Sequence, residues 1–89
     1  MFSTEETVEV TLLCAEKLMK AVIDHFGPSV RTRPIGDSQF YATVKVCTSP
    51  TFYRWVFGWN GDMKIEAPVS VVQDYLNMLE SEIGLYRSS

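Results

Sequence analysis

Arg31, Arg33, Tyr41, Lys45 and Lys64 are the side chains of this sequence best suited to recognition chemistry. Each lies in a stretch where apolar and polar residues alternate. Phe40, Ala42, Val44 and Val46 alternate with Tyr41, Thr43, Lys45 and Cys47, and Met63, Ile65 and Ala67 alternate with Lys64 and Glu66. Successive side chains of a strand point to opposite faces of a sheet. If Val8, Val10, Phe40, Val44 and Ile65 face a core, the five recognition residues emerge together on the other face. Arginine forks bind phosphate or carboxylate through paired N–H donors, and an aromatic ring stacks on a base. The chemistry is therefore that of an anionic ligand, with a nucleotide or single-stranded nucleic acid as the class. Glu9, Thr11, Thr43 and Glu66 share this face. A competing reading is a solvated, salt-bridged outer surface, which antiparallel sheets commonly present.

Catalytic chemistry finds little support. The one histidine, His25, falls at the end of a helical stretch next to Phe26. No Ser-His-Asp or Cys-His arrangement has supporting spacing. Cys14 and Cys47 are the two cysteines, and no CxxC pair occurs. No catalytic residue, metal ligand or cofactor is expected, and the chain does not read as an enzyme.

The elements that must position these residues follow from periodicity. Val8, Val10 and Leu12 alternate with Glu9, Thr11 and Leu13, which predicts a strand. From Ala15 the period lengthens: Ala15, Leu18, Met19, Val22, Ile23 and Phe26 make one apolar helical face, stopped by Gly27-Pro28. Val30 to Ile35 predicts a weaker strand, placed at a sheet edge by Pro34. A turn over residues 36–38 leads into the strand that starts near Phe40, so the two strands read as a hairpin. Ser49-Pro50 predicts a helix start, with serine as N-cap and proline at the first position. Asn60-Gly61 closes that helix. Met63 to Ala67 predicts a fourth strand, and Pro68 ends it. Ser70 and Gln73 match a capping box before a third apolar face of Val72, Tyr75, Leu76, Leu79 and Ile83. Residues 1–6 are polar and expected to fray.

The order β-α-β-β-α-β-α predicts an α+β domain over residues 1–89. The expected architecture is a ferredoxin-like antiparallel sheet, with two helices on one face and an added C-terminal helix. In that topology Cys14 and Cys47 end neighbouring antiparallel strands at opposite ends of the sheet. A disulfide needs Cα atoms within about 7 Å, so two free thiols are expected.

The stretch FYRWVFGW, residues 52–59, carries Phe52, Tyr53, Trp55, Phe57 and Trp59. Phe52, Trp55, Val56 and Trp59 share a helical face, which predicts burial of both tryptophans against the sheet. One face cannot hide all five rings. Tyr53 and Phe57 are therefore candidates for contact with the C-terminal helix or with a second copy of the domain.

The continuation WVFGWNGDMKIEAP resembles a signature, W-ϕ-ϕ-x-F-G-x-x-ϕ-x-V-x-x-P with ϕ apolar. It belongs to WCX, the C-terminal extension of bacterial WYL-domain transcriptional regulators. Trp55, Val56 and Phe57 fall on W-ϕ-ϕ, Trp59 takes the place of its phenylalanine, and Ile65 and Pro68 match later positions. Asn60 stands where the family usually has glycine, and asparagine also tolerates the left-handed region. The resemblance extends over nearly the whole chain, to a final helix ending in Leu85-Tyr86.

It implies a non-enzymatic regulatory and oligomerisation domain with an effector-sensing role. It also implies that the chain is the C-terminal part of a larger protein, whose helix-turn-helix would bind DNA. Neither a helix-turn-helix pattern nor a WYL tripeptide is present in these residues. A homo-oligomer is expected, with Tyr53, Phe57, Leu85 and Tyr86 as contact candidates. An ACT-like small-molecule-binding module attached to an enzyme or transporter is the alternative on the same topology.

Bulk properties agree with a small globular domain. The chain has 89 residues, 46% hydrophobic and 21% charged, enough apolar surface to offset chain entropy. Its net charge of −3 argues against a free-standing nucleic-acid binder. No apolar run approaches the roughly 20 residues of a membrane helix, and no basic segment leads into an apolar stretch as in a secretory signal. With two unclustered cysteines, this predicts a cytoplasmic protein with reduced thiols and no membrane partner.

Overall fold

The computed structural model describes residues 7–87, so the fraying expected of residues 1–6 lies outside the described residues. The elements are β1 (Val8–Ala15), α1 (Met19–Phe26), β2 (Arg31–Ile35), β3 (Gln39–Val46), α2 (Pro50–Phe57), β4 (Met63–Ala67) and α3 (Val69–Arg87). A 3-10 turn over Glu16–Leu18 joins β1 to α1. The strands form one sheet in the order β2-β3-β1-β4, and every neighbouring pair is antiparallel. β2 lies at an edge, where Pro34 removes no donor from a central ladder.

The alternation in the strands divides the sheet into two faces. Val10, Leu12 and Cys14 of β1, Phe40, Ala42 and Val44 of β3, and Met63 and Ile65 of β4 are buried. Leu18, Val22 of α1, Phe52, Tyr53 and Val56 of α2, and Val71 of α3 join the same cluster. Burying a Leu, Val or Phe side chain contributes about 1.5–3 kcal/mol, so this cluster is the main term holding the layers together. The opposite face carries Glu9, Arg31, Arg33, Lys45, Lys64 and Glu66, all exposed.

Four details differ from the sequence reading. First, β1 continues to Ala15 rather than giving way to helix there. The Ala15 N–H donates to the Asp62 carbonyl at 2.8 Å and the Glu16 N–H to the Ser38 carbonyl at 2.8 Å. Both donors find partners outside a helix, so Ala15 stays extended and the α-helix begins only after the 3-10 turn. Second, Ser70 does not cap α3. The helix starts at Val69, and the Val71 and Val72 N–H groups both donate to the Pro68 carbonyl at 3.1 Å. The Ser49 cap is present: its side-chain oxygen accepts from the Phe52 N–H at 3.4 Å, with Pro50 at the first position.

Third, α2 buries Phe52, Tyr53 and Val56 and leaves Trp55 and Trp59 half-buried. The helix is rotated so that Tyr53 faces inward toward α3, while the tryptophans lie along the flank beside the end of α1. There the Trp55 ring stacks on His25, with centroids 4.2 Å apart and planes at 16°, and meets Phe26 edge-on at 5.2 Å. Fourth, the buried residue of α3 is Val71, with Val72, Tyr75 and Met78 packed against the core. Leu76 and Ile83 are 44% and 47% exposed, and every residue from Glu80 to Arg87 is exposed. The burial of α3 is thus confined to its first three turns, and its C-terminal end is solvent-facing. The turn after α2 follows expectation, with Asn60 at φ 57° and Gly61 at φ 93°.

Candidate anionic-ligand face

The strand register sets the open face. Arg33 of β2 pairs with Tyr41 of β3, Tyr41 with Leu13 of β1, and Leu13 with Lys64 of β4. One row thus crosses all four strands. The next row holds Arg31, Thr43 and Thr11, and beyond it Lys45 lies opposite Glu9.

Arg31, Arg33, Tyr41 and Lys45 therefore lie on the two adjacent strands β2 and β3. The Arg33 guanidinium carbon lies 6.0 Å from the centre of the Tyr41 ring, at the outer range of a cation–π contact. Lys64 lies on β4 at the far end of the Arg33–Tyr41–Leu13 row, two strand spacings of about 4.8 Å from Tyr41, with β1 between.

Glu9 was legible as an acid on this face, but its role was not. Its carboxylate accepts from an Arg31 terminal amine at 2.6 Å. Two hollows of about 520 and 500 Å³ flank that contact, and Glu9, Arg31 and Thr43 line both. One continues to Phe26, Ser29 and Lys45, the other to Arg33 and Tyr41. Phe26 and Ser29 were missed because nothing in their local pattern says that the end of α1 comes alongside β3. Leu13 was read as an outward strand position, and the register places it between Tyr41 and Lys64.

The four contact candidates do not stay together. Phe57, Leu85 and Tyr86 are 62%, 67% and 81% exposed. Tyr53 is 6% exposed, so it is not a surface residue. Of the two contacts expected for it, the one formed is with the C-terminal helix. Its ring lies 5.5 Å from that of Tyr75, and its hydroxyl donates to the Asp74 carboxylate at 3.5 Å. Burial, and then the Asp74 charge, push the Tyr53 phenol above its usual range.

Both cysteines are free thiols, Cys14 buried and Cys47 exposed. Burial pushes the Cys14 thiol up to about 11. Among the described residues no cluster of three or more His, Cys, Asp and Glu side chains could hold a metal ion. No helix of the described residues is long and apolar enough to cross a membrane.

Searches of curated proteins and of solved structures return no match. The family model of the WCX domain matches residues 6–81, which takes in all four strands, α1, α2 and most of α3. By that match, over most of its length, the chain belongs to the WCX domain family.

Proposed function

We propose that this chain is the non-enzymatic regulatory domain of a WYL-type transcriptional regulator, built on a ferredoxin-like plan. It contributes self-association and senses an anionic effector, while DNA is bound by a helix-turn-helix elsewhere in the protein. The WCX match over residues 6–81 is the observation that carries this reading. The strand order β2-β3-β1-β4, with helices between β1 and β2 and between β3 and β4, supports the ferredoxin-like plan. Sensing is assigned to the open sheet face, because Arg31, Arg33, Tyr41 and Lys45 gather there around two hollows. A nucleotide or single-stranded nucleic acid suits guanidinium donors beside a ring. Self-association is assigned to the exposed apolar residues Phe57, Ile83 and Leu85. Their exposure is of the kind that marks contact surfaces when the residues are contiguous.

The coding sequence upstream of Met1 tests the assignment. A helix-turn-helix and a WYL domain in the same reading frame are the expected outcome. A catalytic domain in that position, or an in-frame stop with no such domains, contradicts it.

A further inference from the structure

The contact between Glu9 and Arg31 joins strands that are not neighbours. Glu9 is on β1 and Arg31 on β2, and β3 lies between them. Two strand spacings separate their backbones, about 9.6 Å. The two side chains meet by reaching over the outer surface of β3, near Thr43 and Lys45. The ion pair is thus a bar across the sheet, with a hollow on each side that both of its residues line.

The bar has weak intrinsic strength. Its side chains are 72% and 52% exposed, and exposed ion pairs contribute little to stability. Its geometry nevertheless occupies the guanidinium that an anion would use. A carboxylate at 2.6 Å on an arginine terminal amine sits where a ligand oxygen would sit. Arg31 and Arg33 are two residues apart on β2, about 6.8 Å along the strand, so they stand at successive positions of the same face.

We infer that Glu9 is a built-in competitor on the anion site, which an incoming phosphate must displace from Arg31, with the ligand's ring then lying toward Tyr41 and Arg33. The two hollows become one groove when the bar opens. Lys45, directly across from Glu9 in the β1–β3 register, adds a second positive charge at the phosphate end. A terminal phosphate monoester, with close to two negative charges, displaces Glu9 more readily than a singly charged internal diester. The ligand class is therefore a nucleoside monophosphate or the 5′-phosphorylated end of a strand. This inference rests on the anionic-effector reading of the face and specifies how the site is held closed.

The test is a titration followed by amide chemical shifts at low salt, with adenosine 5′-monophosphate as the probe. It compares wild type, Glu9→Gln, Arg31→Ala and the double variant; the two side chains are exposed, so the fold is retained. Glu9→Gln is expected to bind up to about fivefold more tightly, the ceiling that an exposed ion pair sets. That gain should vanish in the Arg31→Ala background, as a direct pairwise coupling requires. Adenosine, which lacks the phosphate, should gain nothing. Binding by wild type with no gain in Glu9→Gln, or a gain that persists without Arg31, overturns the competitor role and leaves the effector reading standing. No shift with any variant overturns both.

Discussion

Substituting Tyr53 measures how α3 is attached to the rest of the domain. The ring is 6% exposed and lies 5.5 Å from Tyr75 and 5.7 Å from Phe52. Truncating a buried large aromatic to alanine costs about 3–5 kcal/mol, from lost transfer free energy plus the cavity left behind. A domain of this length holds about 4–13 kcal/mol in total, so Tyr53→Ala should remove roughly a quarter of it or more. Tyr53→Phe should behave differently. It removes only the hydroxyl, which has the Thr48 side chain as one partner and Asp74 at 3.5 Å as the other, the latter longer than a good O–H···O bond. Asp74 is exposed and regains water, so the expected loss is under about 1 kcal/mol. Urea unfolding followed by far-ultraviolet circular dichroism gives both values. If Tyr53→Ala loses less than 1 kcal/mol, the ring does not hold α3 to the body. If Tyr53→Phe loses as much as the alanine variant, the hydroxyl rather than the ring is responsible.

Other expectations follow from the same contacts. Trp55→Ala should cost about 2 kcal/mol, less than the 3–5 of a fully buried ring, because it is half-buried beside His25 and Phe26; thermal melts decide this. The Cys14 thiol, raised from 9.0 to about 11, keeps its proton longer in the folded state than in the unfolded state. Its contribution is therefore complete below pH 9 and is lost as pH rises through 11, a fall of roughly 2–3 kcal/mol that a Cys14→Val variant should not show in urea melts. Maleimide should label exposed Cys47 in the native protein and reach Cys14 only on unfolding, as mass spectrometry can count. Phe57→Ser with Leu85→Ser should leave stability within about 0.5 kcal/mol, as surface changes do, while lowering the self-association seen by light scattering across a concentration series. A wild-type chain that stays monomeric throughout that series refutes this domain's part in assembly.

The strands were legible because a period of two is a strong local signal. It separated Val10, Phe40 and Ile65 from Arg31, Tyr41 and Lys45, and the structure keeps that separation. The helices were legible as apolar faces, but their rotation was not. On α2, one helical face could be drawn through Phe52, Trp55 and Trp59, and another through Phe52, Tyr53 and Val56. Only packing against α3 selects the second. Ala15 failed for a related reason: its backbone partner, Asp62, lies in a distant loop, and no local pattern reveals it. The composition of the candidate face was readable, but its wiring was not. The Glu9–Arg31 contact depends on three strands lying in one register, and the row that carries Arg33, Tyr41, Leu13 and Lys64 depends on all four.

The most direct measurement of the account is titration with a labelled single-stranded oligonucleotide at low and at moderate salt, comparing wild type with Arg31→Ala/Arg33→Ala. An effector face built on phosphate contacts predicts weak binding at low salt that falls steeply as salt rises. It also predicts loss of that binding in the double variant. Equal binding by the double variant, or no binding by wild type at low salt, would contradict the assignment of this face to an anionic effector.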